Sequence, residues 1–267
     1  MGTTAHPRQL ALVTGASSGI GRELAKQFAT HDFDLVIAAE DDGLADAKRE
    51  LEALGATVDA VKVDLTRDEG VDELWRRTTA LRRPLAAAAL NAGVAAGGAF
   101  AHGTDLDDEL AIVDLNVRST VHLAKHVVEE MAPRGEGRIL FTSSIAATMP
   151  GAFHAVYNAS KSFVQAFALG LRNELKDSGV TVTALMPGPT DTELFERADM
   201  LDTKVGAGEK DDPADVARDG FEGMMKGEER VVSASLRTRA LAAASRALPD
   251  RAKAELHRRM AEPGSAD

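Results

Sequence analysis

Tyr157-Asn158-Ala159-Ser160-Lys161 sets a phenol and an ammonium four residues apart. On a helix that spacing puts both on one face. A free tyrosine ionises near pH ~10. A cation beside it stabilises the phenolate and draws its pKa toward neutrality, where the hydroxyl can donate and accept a proton. Tyr157 is the only tyrosine in the chain. The spacing alone also describes a surface pair on a helix. Ser143-Ser144 precedes it and offers hydroxyls to a substrate oxygen. A second group, Thr14-Gly15-Ala16-Ser17-Ser18-Gly19-Ile20-Gly21, spaces its glycines G-x-x-x-G-x-G. Glycine permits a tight turn and close approach of a pyrophosphate to the backbone. The free amides and dipole of a following helix favour the anion.

These groups need elements to position them. Leu10–Val13, Leu35–Ala39, Thr57–Val63, Leu85–Leu90, Arg138–Thr142, Val180–Met186 and Arg230–Val232 read as strands, most of them buried. Between them Gly19–Ala29, Leu44–Leu54, Val71–Leu81, Leu106–Met131, Tyr157–Lys176 and a segment from Pro213 read as helices, with a lid over Asp191–Asp211. Strict alternation predicts an α/β fold: a doubly wound parallel sheet of about seven strands, with right-handed crossovers and helices on both faces. Ligands bind beyond the carboxyl ends of such strands. The glycine loop and Ser143-Ser144 both fall there. We read residues 1–235 as one domain, with a lid at about 190–212, and residues 236–267 as a basic helical extension broken near Pro249.

Composition narrows the function. Hydrophobic residues make up 44% of 267 but aromatics only 4%, so alanine, valine and leucine must fill the core. A net charge of −11 argues against general nucleic-acid binding. The charge is uneven: residues 236–259 carry seven Lys/Arg against two acids. This stretch reads as a solvated helical face, with docking on its own domain, a neighbouring subunit or an anionic surface as alternatives. The absence of cysteine excludes disulfides and thiolate chemistry. No apolar run approaches the roughly 20 residues of a membrane span, and Met1–Arg8 lacks the apolar stretch of a signal peptide, so a soluble cytoplasmic protein is expected.

Taken together, the motifs resemble those of the short-chain dehydrogenase/reductase family, in its short single-domain form. The loop at Thr14 to Gly21, Asn91-Ala92-Gly93, Asn116, Ser144, Tyr157/Lys161 and Pro187-Gly188 occur in family order and spacing, over about Leu10 to Val232. The resemblance implies a Rossmann-like fold and hydride transfer between a nicotinamide and a secondary alcohol or ketone. It implies that Tyr157 exchanges a proton with the substrate oxygen, that Lys161 depresses the tyrosine's pKa and holds the nicotinamide ribose, and that Ser144, thirteen residues before Tyr157, orients the carbonyl. Asn116 would hold a water linking Lys161 to solvent. For the cofactor it implies Gly15, Ser17, Ser18, Ile20 and Gly21 at the pyrophosphate, Asp64-Leu65 at the adenine, Asn91, Ala92 and Gly93 beside the adenosine ribose, and Pro187, Gly188, Thr190 and Thr192 at the carboxamide. It also implies a symmetric homo-oligomer, a tetramer. Leu90 departs from the family by standing where many members have asparagine.

Glu40 follows Gly21 by nineteen residues, where an acid can hydrogen-bond the adenosine ribose hydroxyls. With Asp41 and Asp42 it would repel the 2′-phosphate of NADP, so NAD is the expected cofactor and NADP the alternative. Arg22 is the counter-argument, and an N-cap role for Asp41 and Asp42 is the bland reading. His122 and His126 share a helix face, but no third ligand is evident and no metal is expected. His154 reads as a helix-start histidine without chemistry. The substrate pocket is expected from Ala95, Ala146, Ala147, Met149, Phe153 and the lid around Leu194 to Leu201, which suits a moderately hydrophobic carbonyl compound. Competing readings are a redox-sensing protein without turnover, epimerisation or dehydration on the same fold, and reduction of a carrier-bound acyl ketone.

Overall fold

The computed structural model describes residues 8–232, 235 and 248–266. Seven strands pair in the order β3-β2-β1-β4-β5-β6-β7: β1 (Gln9–Thr14), β2 (Phe33–Ala39), β3 (Val58–Lys62), β4 (Leu85–Leu90), β5 (Gly137–Thr142), β6 (Val180–Met186) and β7 (Arg230–Val232). Every pairing is parallel. The order reverses between β1 and β4, which opens a crevice at their carboxyl ends.

Two apolar clusters sandwich the sheet because successive strand residues point to opposite faces. On one face Ala11, Val13, Leu35 and Ile37 pack under α1 (Gly19–Thr30), α2 (Gly43–Ala53) and α9 (Pro213–Lys226). On the other Leu10, Leu12, Val36 and Phe141 pack under α3 (Asp68–Ala80), α5 (Thr120–Met131) and α6 (Ala155–Glu174). β4 runs Leu-Ala-Ala-Ala-Ala-Leu, and its alanines let both layers come close. Gly220 of α9 has the same purpose: an added Cβ would lie 2.9 Å from Leu185 Cδ2.

The expected helix Leu106–Met131 is continuous but not uniform. Between α4 (Leu106–Ile112) and α5, Val113–Ser119 winds as a π-helix, a widened turn often found at functional sites. Asn116 sits inside it. The expected lid holds two one-turn helices, α7 (Leu194–Arg197) and α8 (Lys204–Ala207), and is tied back by a bridge between Thr190 and Asp211. In the extension, the first expected helix and the basic residues Arg237, Arg239 and Arg246 lie outside the described residues. The second forms a C-terminal helix, Asp250–Ala261. It docks on the lid: Lys204 N donates to Ser265 Oγ at 3.2 Å and Gly264 N to Asp202 Oδ2 at 2.7 Å.

Candidate active site

A deep cleft opens beyond the strand ends. It runs from Gly15 and Gly21 in the β1–α1 loop, past Asn91-Ala92-Gly93 and Ser144, to Tyr157, Lys161 and the lid. Every residue named above as catalytic or cofactor-binding lines it except Asn116. The glycine loop is bare because it must be. Gly15 has φ +67°, and a Cβ there would stand 2.9 Å from Ala92 Cα, while a Cβ on Gly21 would stand 2.0 Å from Gly15 O.

Three strand ends are stitched together at Asn91. Its Nδ2 donates to Thr14 O at 3.2 Å, its N–H to Thr14 Oγ1 at 3.0 Å, and its Oδ1 accepts from Thr142 Oγ1 at 2.9 Å. Asn116 is fully committed. Oδ1 accepts from Val94 N at 2.9 Å, and Nδ2 donates to Val94 O at 2.9 Å and Ser160 Oγ at 3.0 Å. It thereby fixes the loop after β4 against the helix that carries Tyr157.

The two serines part company. Ser143 Oγ donates to Lys161 O at 2.9 Å, which anchors β5 to α6. Ser144 is hydrogen-bonded to the Tyr157 side chain, and its Oγ also accepts from Ala146 N at 3.1 Å. Lys161 Nζ donates to Thr142 O at 3.0 Å and lies 5.8 Å from the centre of the Tyr157 ring. Burial pushes the Tyr157 phenol up to about 12, against an opposite pull from the Ser144 hydrogen bond, and burial pushes the Lys161 ammonium down to about 8. Burial is the largest influence on both groups, and Lys161 is not among the causes that act on the phenol. The ammonium donates to the Thr142 carbonyl, and burial disfavours the charged forms of both groups.

The acidic turn after β2 also differs in detail. Glu40 is exposed at the cleft rim, whereas Asp41 reaches the glycine loop: its Oδ2 accepts from Ser17 Oγ at 2.7 Å. Its Oδ1 accepts from Gly43 N at 2.9 Å, so it also caps the start of α2. Asp42 pairs with Lys62 instead, at 2.5 Å. Asp64, at the end of β3, accepts from Thr66 Oγ1 at 2.6 Å and Thr66 N at 2.9 Å, and these bonds hold its carboxyl below the usual carboxylate range.

Of the expected pocket residues, Ala95, Ala146, Met149, Leu194, Phe195 and Met200 line the cleft, but Ala147, Phe153 and Leu201 do not. Phe153 points away, beneath the Arg258 guanidinium at 5.1 Å. The missing wall comes from the C-terminal helix, as His257, Met260 and Ala261. His257 Nδ1 hydrogen-bonds Ala152 O at 2.9 Å, and its ring meets His154 edge-on at 5.5 Å. His154, read as bland from the sequence, lines the cleft beside Tyr157. Burial, and then the neighbouring His257, push its pKa down to about 4. No local pattern around residue 257 signals this wall, since its partners lie about a hundred residues upstream.

A model of the short chain dehydrogenase family matches residues 9–201. An uncharacterized oxidoreductase of Staphylococcus saprophyticus is 34% identical over 211 residues, covering 78% of this chain and 88% of that protein. Serine 3-dehydrogenase of Rhizobium radiobacter is 31% identical over 187 residues, covering 68% and 72%. Among solved structures, a short-chain dehydrogenase from Sphingobium yanoikuyae in complex with NADPH superposes with a TM-score of 0.78 at 29% identity, covering 89% of this chain and 93% of that one.

Proposed function

This chain belongs to the short-chain dehydrogenase family, and from that premise we propose that it interconverts a secondary alcohol and its ketone with a nicotinamide cofactor, Tyr157 acting as acid and base. The observation that carries the proposal is convergence: Ser144, Tyr157 and Lys161 open into the same cleft that begins at the bare glycine loop. The cleft's residues fit a dinucleotide. Gly15, Ser17, Ser18, Ile20 and Gly21 would receive the pyrophosphate. Glu40, Asp41, Asp64-Leu65 and Asn91-Ala92-Gly93 would receive the adenosine end, and Pro187, Gly188, Thr190 and Thr192 the nicotinamide end. When bound, the nicotinamide supplies the two-electron donor or acceptor.

The chain's own side chains handle the proton. In ketone reduction the neutral Tyr157 phenol donates its proton to the carbonyl oxygen, and the Ser144 hydroxyl hydrogen-bonds the same oxygen as negative charge develops there. Lys161, held by Thr142 O, supplies the positive charge that stabilises the phenolate left behind. Asn116 acts through Ser160 and Val94 to keep α6 and the loop after β4 in register. Alcohol oxidation runs the same transfers backward. Ala95, Ala146, Met149, Phe195 and Met200 make the substrate end apolar, with His154 and His257 as polar groups at its edge. That lining suits a moderately hydrophobic carbonyl compound. The reading places the enzyme in the cytoplasm as a homo-oligomer, with residues 236–267 as an extension whose final helix completes the pocket.

A panel of ketones and secondary alcohols, assayed with each nicotinamide by absorbance, tests the proposal. Turnover is expected with the wild type. Tyr157→Phe is expected to lose about 100- to 10,000-fold in turnover while a fluorescence titration still shows cofactor binding. A Phe variant that keeps near wild-type turnover would remove Tyr157 from the chemistry. Cofactor binding without turnover on any compound would favour a redox sensor.

A further inference from the structure

The sequence places His122 and His126 one turn apart but offers no third ligand near them. The fold supplies it from fifty residues upstream. Helix α3 presses Asp72 against both imidazoles: His122 Nε2 lies 3.0 Å and His126 Nε2 3.5 Å from the same oxygen, Asp72 Oδ1. All three donor atoms lie within 4.8 Å of one another. A tetrahedral ion bonded by imidazole nitrogen and carboxylate oxygen at about 2.0–2.2 Å holds its donors roughly 3–3.5 Å apart. The carboxylate–imidazole separations match that figure.

The surroundings fit as well. His126 Nε2 is enclosed and makes no hydrogen bond among the described residues, although it faces the carboxylate. The His126 ring is stacked on Trp75, 5.4 Å between centres and 9° between planes, which fixes its direction. His122 turns its other nitrogen, Nδ1, toward Asp68 Oδ1 at 3.6 Å. A carboxylate behind a ligating imidazole is the usual outer support of a metal site. The nearby cation, Arg118, is taken up by Asp68 and Asp114. Asp72 pairs with no lysine or arginine among the described residues. None of these groups lines the cleft.

We propose that Asp72, His122 and His126 bind a divalent transition-metal ion, Zn2+ being the best match. Two imidazole donors select against Mg2+ and Ca2+, which take oxygen ligands. Three protein donors leave a coordination position open to water on the solvent side, where Asp72 is exposed. The ion ties α3 to α5, so it binds the folded chain in preference to the unfolded one and raises its stability with the logarithm of the free ion concentration once that exceeds the dissociation constant. This inference is independent of the oxidoreductase reading.

The test uses the untagged full-length chain, stripped of metal with a chelator. Calorimetric titration with Zn2+ is expected to give one ion per chain, and saturating Zn2+, but not Mg2+, is expected to raise the melting temperature. Co2+ substitution is expected to produce the intense visible absorption of a four- or five-coordinate ion. Asp72→Asn, at an exposed position that packing does not constrain, is expected to weaken binding at least about tenfold. His122→Ala/His126→Ala is expected to abolish binding and the Co2+ spectrum. A wild type with no saturable Zn2+ binding would overturn the site, and so would variants that bind Zn2+ as tightly as the wild type.

Discussion

Asp41 divides its carboxylate between Ser17 Oγ and the Gly43 amide, so its charge is held at the mouth of the glycine loop. Glu40 adds a second carboxylate at the rim of the same cleft. A 2′-phosphate brought there meets like charge at short range, where repulsion is least screened. The cation that could have answered it is occupied: Arg22 Nε donates to Glu50 Oε2 at 2.8 Å. Arg197 comes within 3.9 Å of Asp41 but is half-exposed and pairs with Glu193. NAD is therefore expected to be preferred to NADP by on the order of tenfold or more in kcat/KM, about 1.4 kcal/mol. Asp41→Asn should narrow the gap, and Arg22→Ala should leave it unchanged. Measuring kcat/KM for both cofactors with one substrate checks this. An NADP preference that vanishes in Arg22→Ala would show that Arg22, not Asp41, governs the choice.

At the scale of elements, the helix Asp250–Ala261 closes the pocket through His257, which packs on His154 and Ala152. Burial lowers the pKa of both imidazoles, that of His154 to about 4. In the unfolded chain a histidine titrates near ~6.5. Between those values the unfolded chain binds the proton and the folded one does not, so stability is complete above about 6.5 and is lost as pH falls toward 4. For His154 the full loss is about 3 kcal/mol, at about 1.4 kcal/mol per unit. The local contacts of the C-terminal helix should loosen first. Protection factors for hydrogen exchange over 250–261, corrected for the intrinsic pH dependence of amide exchange, are expected to fall between pH 7 and pH 5, with a drop in melting temperature, and His154→Phe should blunt both changes. Equal protection of that helix at the two pH values would contradict this account.

At the scale of the whole molecule, an apolar band is left uncovered among the described residues. Leu106, Leu110, Val113 and Val121 along the α4–α5 run are 67%, 49%, 41% and 37% exposed, and Phe163 on the neighbouring α6 is 41% exposed while stacking on Phe167. Exposed apolar side chains gathered on neighbouring helices in this way mark an interface. We expect a second copy to cover it about a twofold axis, giving a dimer or tetramer. Light scattering at micromolar concentration should report a multiple of 28.2 kDa, and Phe163→Glu should shift the mass toward the monomer. A wild-type monomer would leave the band unexplained.

What the sequence determined by itself was whatever is local along the chain. Alternating apolar runs and amphipathic stretches dictate a doubly wound sheet, because strand and helix periodicities are written in consecutive residues. The glycine loop and the Tyr157/Lys161 pair are local too, each carried on one turn. The tertiary structure decided what depends on distant partners. Ser143 and Ser144 are neighbours of one type, and only the packing of α6 sends one to the Lys161 carbonyl and the other to the tyrosine. Asp41, not Glu40, meets Ser17 because the β2–α2 turn folds back on the glycine loop. The pKa values of Tyr157 and Lys161 are governed first by burial, which sums over everything around a group and which no spacing records. The pocket wall at His257 and the carboxylate that joins His122 to His126 come from segments far apart in sequence, brought together only when the helices dock on the sheet and on one another.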